Sequence, residues 1–357
     1  MYMNNSDNIT ILIDILHGLG DTVCALPMLT MVRKAFPDAY IVVLTKSKAG
    51  SDIIKASKIK IDEIHEFNIY KNLGYSIQFL RELRARHFTY GISSCITPVR
   101  KARFFMGFIH PKHWIGWQRR GLYFDLLKDK YHFVDANLLS VKDLCPKPLG
   151  KNYPRLYAEK VDIEAVNQIS RVENTNKKLV GVCIGNADYS LKNRFLRTGK
   201  VYTRGWGIEN MTSLVQLLIK SRNHIALIGG KEEESLLPYL MQKVGQTDLI
   251  HNFVGKTNIR QSIALVSLCD CVFGVDTGMQ HIAAAVGTPT LSIFGPTNPK
   301  THGAYAPNAE FITNSDACKL QYCYGTKNYV NCPNRRICLY SITPQEVYEK
   351  ILGILSK

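Results

Sequence analysis

The stretch that decides the fold of this chain is Gly274-Val275-Asp276-Thr277-Gly278-Met279-Gln280-His281-Ile282-Ala283-Ala284-Ala285-Val286-Gly287-Thr288-Pro289, which continues to Leu291-Ser292-Ile293-Phe294-Gly295. Its pattern predicts a buried strand, a tight turn that opens a helix, and a second strand. Amides at a helix start point outward and the peptide dipole adds partial positive charge, so a diphosphate can bind there. An ordinary crossover helix capped by Asp276 is the alternative that this stretch alone leaves open.

Two features of the stretch extend this interpretation. Three successive alanines, Ala283 to Ala285, allow the helix to pack closely on a sheet. His281 follows Thr277 by four residues, which puts both on one helical face. We therefore expect Thr277 and His281 together at the mouth of the site.

Composition sets broad limits on the class of protein. The 357 residues are enough for two domains, and 46% hydrophobic with 21% charged residues indicates a soluble globular protein. The formal net charge of +16 predicts attraction to an anionic partner, whether nucleotide-sugar, acidic glycolipid, membrane surface or nucleic acid.

The compartment follows from the start of the chain and its cysteines. Met1 to Thr10 is polar and lacks the features of a secretion signal, and no apolar run reaches the roughly 20 residues that span a bilayer. A cytoplasmic protein is the expectation. Half of the ten cysteines lie in apolar segments and are predicted to be small core residues. These are Cys24, Cys95, Cys183, Cys269 and Cys271.

Two α/β series follow one another along the chain and predict two doubly wound domains. The first series contains predicted strands at 9–15, 41–44 and 90–93 and helices at 22–36 and 77–86. The second contains predicted strands at 179–184 and 225–228 and helices at 211–220, 233–244, 259–268 and 344–355. Residues 151–177 are polar and irregular, and 172–177 is typical of a linker. The predicted domains are 1–170, 171–342 and a terminal helix, 343–357, that packs back on the first domain.

A glycine-rich turn, His17-Gly18-Leu19-Gly20-Asp21-Thr22, follows the first strand. Asp21 there is either the cap of the next helix or a general base that takes a proton from a sugar hydroxyl. The turn is not G-x-G-x-x-G, so the dinucleotide fingerprint is absent.

The chain resembles glycosyltransferase family 9, the lipopolysaccharide heptosyltransferases and their relatives. One motif is Gly20-Asp21 with Leu26-Pro27 and a helix ending in Arg33-Lys34-Ala35-Phe36-Pro37-Asp38-Ala39. The other is Asp276-Thr277-Gly278-Met279-Gln280-His281 running to Phe294-Gly295-Pro296-Thr297. Their order and wide separation match the family along most of the chain.

The resemblance implies a GT-B fold, in which two Rossmann-like domains face a central cleft. It also implies inverting transfer without a catalytic metal from a nucleotide-sugar, with ADP-heptose the expected donor. Asp21 would be the catalytic base, and Gly20 would lie against the acceptor. The donor-binding residues would be Asp276, Thr277, Gly278, Met279 and His281.

A lysine two residues before a tryptophan is usual in the family, where it neutralises the leaving diphosphate. Here the segment reads Arg204-Gly205-Trp206, so arginine would bind the phosphates, for which its planar fork is suited. The preceding loop offers other phosphate ligands, or it is a solvated basic loop. Those other candidates are Lys192, Arg194, Arg197 and Lys200.

Basic and aromatic residues alternate between Pro98 and Phe124. This pattern fits a phosphorylated acceptor, an anionic membrane, a single nucleic-acid strand, or a helix and strand with one basic face. Given the resemblance, an anionic glycolipid acceptor with weak membrane contact is the favoured function. The acceptor-binding candidates are Arg100, Lys101, Arg103, Arg119 and Arg120.

Four cysteines with C-x4-C-x8-C-x5-C spacing lie near the carboxyl end, at Cys318, Cys323, Cys332 and Cys338. The spacing differs from the paired C-x-x-C of common zinc sites. A reduced structural loop, a structural zinc or iron site, and a disulfide are the alternatives, in that order. Similar tails occur in the family, including members that glycosylate autotransporters and hold iron.

The leading hypothesis is a cytoplasmic transferase that moves a heptose or related sugar to an anionic saccharide such as lipopolysaccharide core. It would touch the cytoplasmic face of the inner membrane. A protein heptosyltransferase is the alternative enzyme. A non-catalytic nucleotide- or nucleic-acid-binding protein is the alternative from another class. Asp21 argues against it, because binding an anion needs no carboxylate.

Overall fold

The computed structural model describes residues 9–67, 73–117, 131–145, 152–172, 177–186, 197–198, 201–202 and 204–357. The chain divides into two compact units, Met1–Pro154 and Arg155–Lys357. Each unit contains one parallel sheet whose strands are connected through helices. In the described part of the chain, no helix combines the length and apolar character needed to cross a bilayer.

The first unit is built on a five-stranded sheet. Its strands are β1 (Thr10–Ile15), β2 (Tyr40–Thr45), β3 (Glu63–Glu66), β4 (Tyr90–Ser93) and β5 (His113–Ile115). Its described helices are α1 (Leu19–Ala35), α2 (Lys48–Ala56), α3 (Leu73–Ala85), α4 (Val99–Ile109) and α5 (Phe133–Ser140). The strand order is β3-β2-β1-β4-β5 with all pairs parallel. The order reverses between β1 and β4, and ligands of open α/β sheets bind at the carboxyl ends of strands beside such a reversal.

The central strand explains why this sheet forms. The apolar side chains of β1 are fully buried on both faces, as expected of a parallel strand covered on each side by helices. Asp14 lies in the same strand and is also fully buried. α1 packs on α2 and α5, and its apolar residues from Val23 to Val32 form the contact.

The second unit is built on a six-stranded sheet. Its strands are β6 (Leu179–Cys183), β9 (His224–Ile228), β10 (Ile250–Asn252), β11 (Cys271–Val275), β12 (Thr290–Phe294) and β13 (Ala309–Thr313). The order is β10-β9-β6-β11-β12-β13, all parallel, with the reversal between β6 and β11. A short antiparallel pair, β7 (Arg197–Thr198) and β8 (Val201–Tyr202), stands apart from it.

Helices of the second unit surround the core of that sheet. They are α6 (Lys160–Ile169), α7 (Ile208–Lys220), α8 (Leu237–Val244), α9 (Ile259–Ser267), α10 (Gly278–Val286), α11 (Pro299–His302), α12 (Lys327–Val330), α13 (Ile337–Tyr340) and α14 (Pro344–Leu355). A 3-10 helix, Lys231–Leu236, precedes α8, so the predicted helix at 233–244 is in two parts. The two α/β sheets confirm the predicted fold class.

The irregular structure expected within residues 151–177 was wrong for Lys160–Ile169, which form α6, and residues 173–176 of the predicted linker lie outside the described residues. α6 lies inside this segment and packs on α9, where Arg260 bonds Asp162 at 2.9 Å and lies 3.3 Å from Glu159. Its apolar side is small, with Val166 as the buried residue, and so the segment reads as polar. α6 belongs to the second unit, whereas the sequence analysis assigned residues up to 170 to the first domain. The division at 170 remains a prediction about domains.

The terminal helix follows its predicted bounds. Thr343 caps α14, and its side chain accepts a hydrogen bond from the Glu346 amide. Val347, Ile351 and Ile354 bury the apolar face of α14 in the core of the second unit, where it contacts α7 and β11. The predicted packing of this helix on the first domain stays a prediction.

Candidate active site

Asp276 is the centre of the polar residues at the carboxyl end of β11. It directly follows the strand and is buried. Its Oδ2 accepts a hydrogen bond of 2.8 Å from Thr297 Oγ1 and lies 3.4 Å from Arg204 Nη1. Arg204 and Asp276, which the sequence analysis assigned to one site, are therefore in contact. One guanidinium is held at the reversal of the sheet order, where an anionic ligand can reach it.

Thr277, not Asp276, caps α10. Its Oγ1 accepts a hydrogen bond of 3.1 Å from the Met279 amide, and its carbonyl accepts the Gln280 amide at 3.2 Å. The alternative in which Asp276 caps the helix was wrong, because its carboxylate binds Thr297 and Arg204 instead. The Met279 and Gln280 amides are engaged within the turn, so the Thr277 hydroxyl proton and the positive helix end are what this turn offers an anion.

His281 lies one turn further along α10 and is buried. Burial lowers its pKa to about 4, although nearby Asp276 and a hydrogen bond to the backbone of His302 act in the opposite direction. The imidazole is therefore neutral at physiological pH. A neutral ring contributes a hydrogen bond to a ligand rather than a charge.

Trp206 fixes the loop that carries Arg204. Its indole is almost fully buried, donates a 2.9 Å hydrogen bond to the Ile342 carbonyl, and contacts Phe273 edge-on at 5.7 Å. Tryptophan gives this loop a large apolar anchor with one directional bond. The Arg-x-Trp spacing thus has a structural cause, since the anchor lies two residues after the guanidinium.

Two glycines of the site allow close approach. A Cβ on Gly274 would lie 2.7 Å from Gln280 Nε2 and 2.9 Å from Cys183 Cβ. A Cβ on Gly295 would lie 2.5 Å from Leu339 Cγ. A larger residue at either position would force Cys183 or Leu339 to shift.

Asp21 lies in the first turn of α1, in the first unit. Its Oδ2 accepts a hydrogen bond of 3.2 Å from the Gly18 amide, and Gly20 is the neighbouring helical residue. The carboxylate is partly exposed. Gly18 is the N-cap of α1 and Asp21 is its third helical residue, so the assignment of Asp21 as the cap residue was wrong, although its carboxylate binds the cap amide. The geometry is also compatible with a role as base, because a carboxylate has several acceptor positions.

A polar chain missed by the sequence analysis lies beside Asp21. Thr97 Oγ1 donates a 2.5 Å hydrogen bond to Asp14 Oδ1, and His17 Nε2 lies 3.0 Å from the same hydroxyl. Burial raises the pKa of Asp14 to about 6, against hydrogen bonds from Thr97, Ser93 and Ser94 that lower it. An aspartate inside an apolar strand was the signal that could have identified this chain of residues.

The basic and aromatic segment forms α4 and β5. Arg100, Lys101 and Arg103 are exposed, whereas Phe105 and Met106 on the same helix belong to the core. Phe104 is 63% exposed. This is the expected helix with one basic face, and its exposed phenylalanine is not used by the core.

The four clustered cysteines are close enough to affect one another. Burial raises the pKa of Cys338 to about 11, and the other three thiols add to that effect. Cys318 and Cys338 belong to the core, and Asn334 Nδ2 donates to Cys318 Sγ at 3.1 Å. All ten cysteines are free thiols. Nowhere in the described ranges are three or more His, Cys, Asp or Glu side chains arranged to hold a metal ion.

Two further groups of predicted residues are the cysteines of the apolar segments and the other basic candidates. The five apolar-segment cysteines are buried, which confirms them as core residues. Several basic candidates lie outside the described residues. These are Lys192, Arg194, Lys200, Arg119 and Arg120.

Known proteins share sequence and fold with this chain. The family model "Glycosyltransferase family 9 (heptosyltransferase)" matches residues 78–328. The chain belongs to glycosyltransferase family 9. It is therefore a glycosyltransferase, and the sequence resemblance is confirmed.

Individual relatives agree with the family. The lipooligosaccharide heptosyltransferase 2 of Haemophilus influenzae is 25% identical over 273 residues, which cover 71% of this chain and 72% of the relative. The solved ADP-heptose lipopolysaccharide heptosyltransferase II of Escherichia coli has a TM-score of 0.74 at 18% identity, with 98% and 99% of the chains covered. A family 9 glycosyltransferase of Veillonella parvula has a TM-score of 0.79 at 16% identity, with 99% and 98% covered. This family 9 chain has the GT-B fold.

Proposed function

We propose that this family 9 enzyme transfers a heptose from ADP-heptose to a saccharide of the lipopolysaccharide core. The relatives named above are heptosyltransferases, and one is named for ADP-heptose. The observation that carries the proposal is the contact of Arg204 with Asp276 at the start of α10. A glycosyltransferase needs a fixed cation where its nucleoside diphosphate departs.

The donor would bind to the second unit. Arg204 would neutralise the diphosphate, while the Thr277 hydroxyl donates a hydrogen bond and α10 presents its positive end. Asp276 orients Arg204 and Thr297. Because negative charge grows on the leaving diphosphate, these groups stabilise the transition state more than the bound donor.

The acceptor would bind to the first unit, with Asp21 as the base. The Asp21 carboxylate takes the proton of an acceptor hydroxyl as that oxygen forms its bond to the anomeric carbon. The bond from that carbon to the diphosphate oxygen breaks in the same displacement, and its electron pair leaves with ADP. A single displacement inverts the anomeric centre. The positive charge for this step comes from Arg204, and no step calls for a metal ion.

The first experiment is a thermal-shift screen with ADP, UDP, GDP and ADP-heptose, because a ligand of the folded state raises the melting temperature. We expect a shift with the two adenine compounds only. Heptose transfer is then measured to heptose-free lipopolysaccharide and, separately, to an autotransporter passenger protein. Transfer to the protein alone would favour the protein heptosyltransferase. No shift with any nucleotide would overturn the donor assignment.

The exposed face of α4 supports a peripheral contact with an anionic membrane. Phe104 is 63% exposed, and Arg100 and Arg103 lie beside it on the same helix. An apolar side chain among arginines suits the headgroup region. Phe104→Ser should weaken sedimentation with phosphatidylglycerol vesicles about tenfold, and Tyr239→Ser, at another exposed ring, is the control. Equal binding to phosphatidylcholine would contradict this contact.

A further inference from the structure

His17 lies at the reversal of strand order in the first unit. It follows β1, while Thr97 follows the neighbouring strand β4 and Lys46 follows β2 on the other side. The three residues therefore share the carboxyl edge of three adjacent strands. Asp21 joins them, because its carboxylate accepts the amide of Gly18, the residue after His17.

The hydrogen bonds fix the protonation of the His17 ring. A threonine hydroxyl has one proton, and Thr97 donates it to the Asp14 carboxylate at 2.5 Å. The Thr97 oxygen must then accept from His17 Nε2 at 3.0 Å, so Nε2 carries the ring proton. In a neutral imidazole the other nitrogen, Nδ1, then holds a lone pair.

The surroundings keep this ring neutral. Burial lowers the pKa of His17 to about 4, and the ammonium groups of Lys46 and Lys101 act in the same direction. Both lysines are exposed, so the same edge also presents positive charge to solvent. A neutral ring near two cations accepts a hydrogen bond from a donor such as a hydroxyl, and it does not itself bind an anion.

We propose that His17 Nδ1 accepts a hydrogen bond from a hydroxyl of the acceptor saccharide, and that Thr97 and Asp14 are positioning residues that fix its tautomer. This rests on the proposed function, in which the acceptor binds beside Asp21. The role differs from that of the base, since His17 orients the sugar and the reacting proton goes to Asp21. Lys46 and Lys101 lie where they attract an anionic group of the same saccharide.

The tautomer can be measured without any turnover. In a nitrogen-15 spectrum of histidine-labelled protein at pH 7.5, His17 should show a protonated Nε2 and an unprotonated Nδ1, assigned by its loss in His17→Leu. The acceptor oligosaccharide released from heptose-free lipopolysaccharide should shift the Nδ1 signal. A protonated Nδ1, or no shift on addition of the oligosaccharide, overturns the proposal even in an inactive preparation. A failed thermal shift with ADP would instead count against the proposed function.

Kinetics separate this role from a structural one. His17→Leu should lower kcat/KM for the acceptor about tenfold, the effect of one lost hydrogen bond, and leave the KM for ADP-heptose unchanged. His17→Asn places an amide oxygen near the position of Nδ1 and should recover part of that loss. Thr97→Val should free the tautomer and have a smaller effect on the same constant. His113→Leu, an exposed histidine on β5, is the control. An equal change in both KM values would overturn the proposal.

Discussion

The two sheets each carry a buried aspartate bonded to a threonine, and they use the pair differently. In the first unit Thr97 donates to Asp14, and a neutral imidazole completes the chain. In the second unit Thr297 donates to Asp276, and a guanidinium binds the same carboxylate oxygen. Both pairs lie beside the reversal of strand order. We therefore expect the third group, an imidazole or a guanidinium, to determine whether this edge of the sheet suits a hydroxyl or a phosphate ligand.

This difference has an electrostatic cause. Asp276 lies against the guanidinium of Arg204 and orients it. Asp14 instead accepts hydrogen bonds from the Thr97 and Ser93 hydroxyls and the Ser94 amide, and burial raises its pKa to about 6. In the proposed function, the first unit thus supplies the proton-accepting groups and the second supplies the anion-binding group. Acid–base chemistry and leaving-group stabilisation need these two properties at separate places.

The largest expected effect removes the base from the first edge. Asp21→Asn should lower kcat about 1,000-fold, within the usual range for a general base, because the amide cannot take the hydroxyl proton. Its oxygen can still accept the Gly18 amide, so folding and ADP affinity should persist. Asp38→Asn, an exposed carboxylate in the same unit, is the control. Single-turnover transfer at an unchanged rate would remove Asp21 as base.

The second effect removes the cation from the other edge. Arg204→Gln should weaken ADP binding by about 10- to 100-fold, as expected for lost charge-assisted hydrogen bonds. Arg204→Lys should recover part of this affinity, because it restores the charge without the fork. Isothermal titration with ADP measures both variants, and Arg222→Gln, at an exposed turn, is the control. Unchanged affinity would place the diphosphate elsewhere.

The third prediction compares the effects of Asp14 and Asp276 on the free energy of unfolding. The pKa of Asp14 lies at about 6 rather than 3.8, so its contribution to stability is present at low pH and is lost as pH rises through about 6. Asp14→Asn should therefore raise the free energy of unfolding at pH 8 by up to about 3 kcal/mol, with no gain near pH 4. Asp276→Asn should lower it by about 1–3 kcal/mol, since Arg204 loses its partner. Urea unfolding at both pH values decides, and effects of equal sign would break the comparison.

The smallest effect concerns the cap of α10. Thr277→Ala should cost about 1 kcal/mol of stability and weaken ADP binding several-fold, because Oγ1 both accepts the Met279 amide and offers a proton to the ligand. Thr277→Ser keeps the oxygen and should retain most of both properties. Urea unfolding and titration with ADP are the measurements. A stability loss with ADP affinity intact would limit Thr277 to a structural role.

Local patterns predicted most of the fold. The strands that contain Asp14 and Val275 are apolar, and the helices have apolar residues at helical spacing. The parallel architecture could therefore be predicted from the local sequence pattern. α6 was missed because it buries few apolar residues. The segments of the edge strands and of the short helices show no clear apolar periodicity in the sequence. In these places tertiary contact, rather than local preference, determines the structure.

At the site, the contacts between residues far apart in the sequence could not be predicted. Thr277 and Asp276 are adjacent in one motif, so their general role was readable, although which of them caps α10 depended on Thr297 and Arg204. Thr97 meets its partners across about 80 residues, and no local pattern encodes that pairing. The sequence therefore predicted the motifs but not the bonds between them.

The indole of Trp206 has a consequence for synthesis of the protein on the ribosome. Its hydrogen-bond acceptor, the Ile342 carbonyl, comes 136 residues later in the chain. Since domains of a nascent chain fold in order of emergence, the first unit can become compact while this anchor still lacks its partner. The loop bearing Arg204 can settle only after Ile342 has emerged. A ribosome stalled before that point would display a folded first unit while the loop of Arg204 still lacks its anchor.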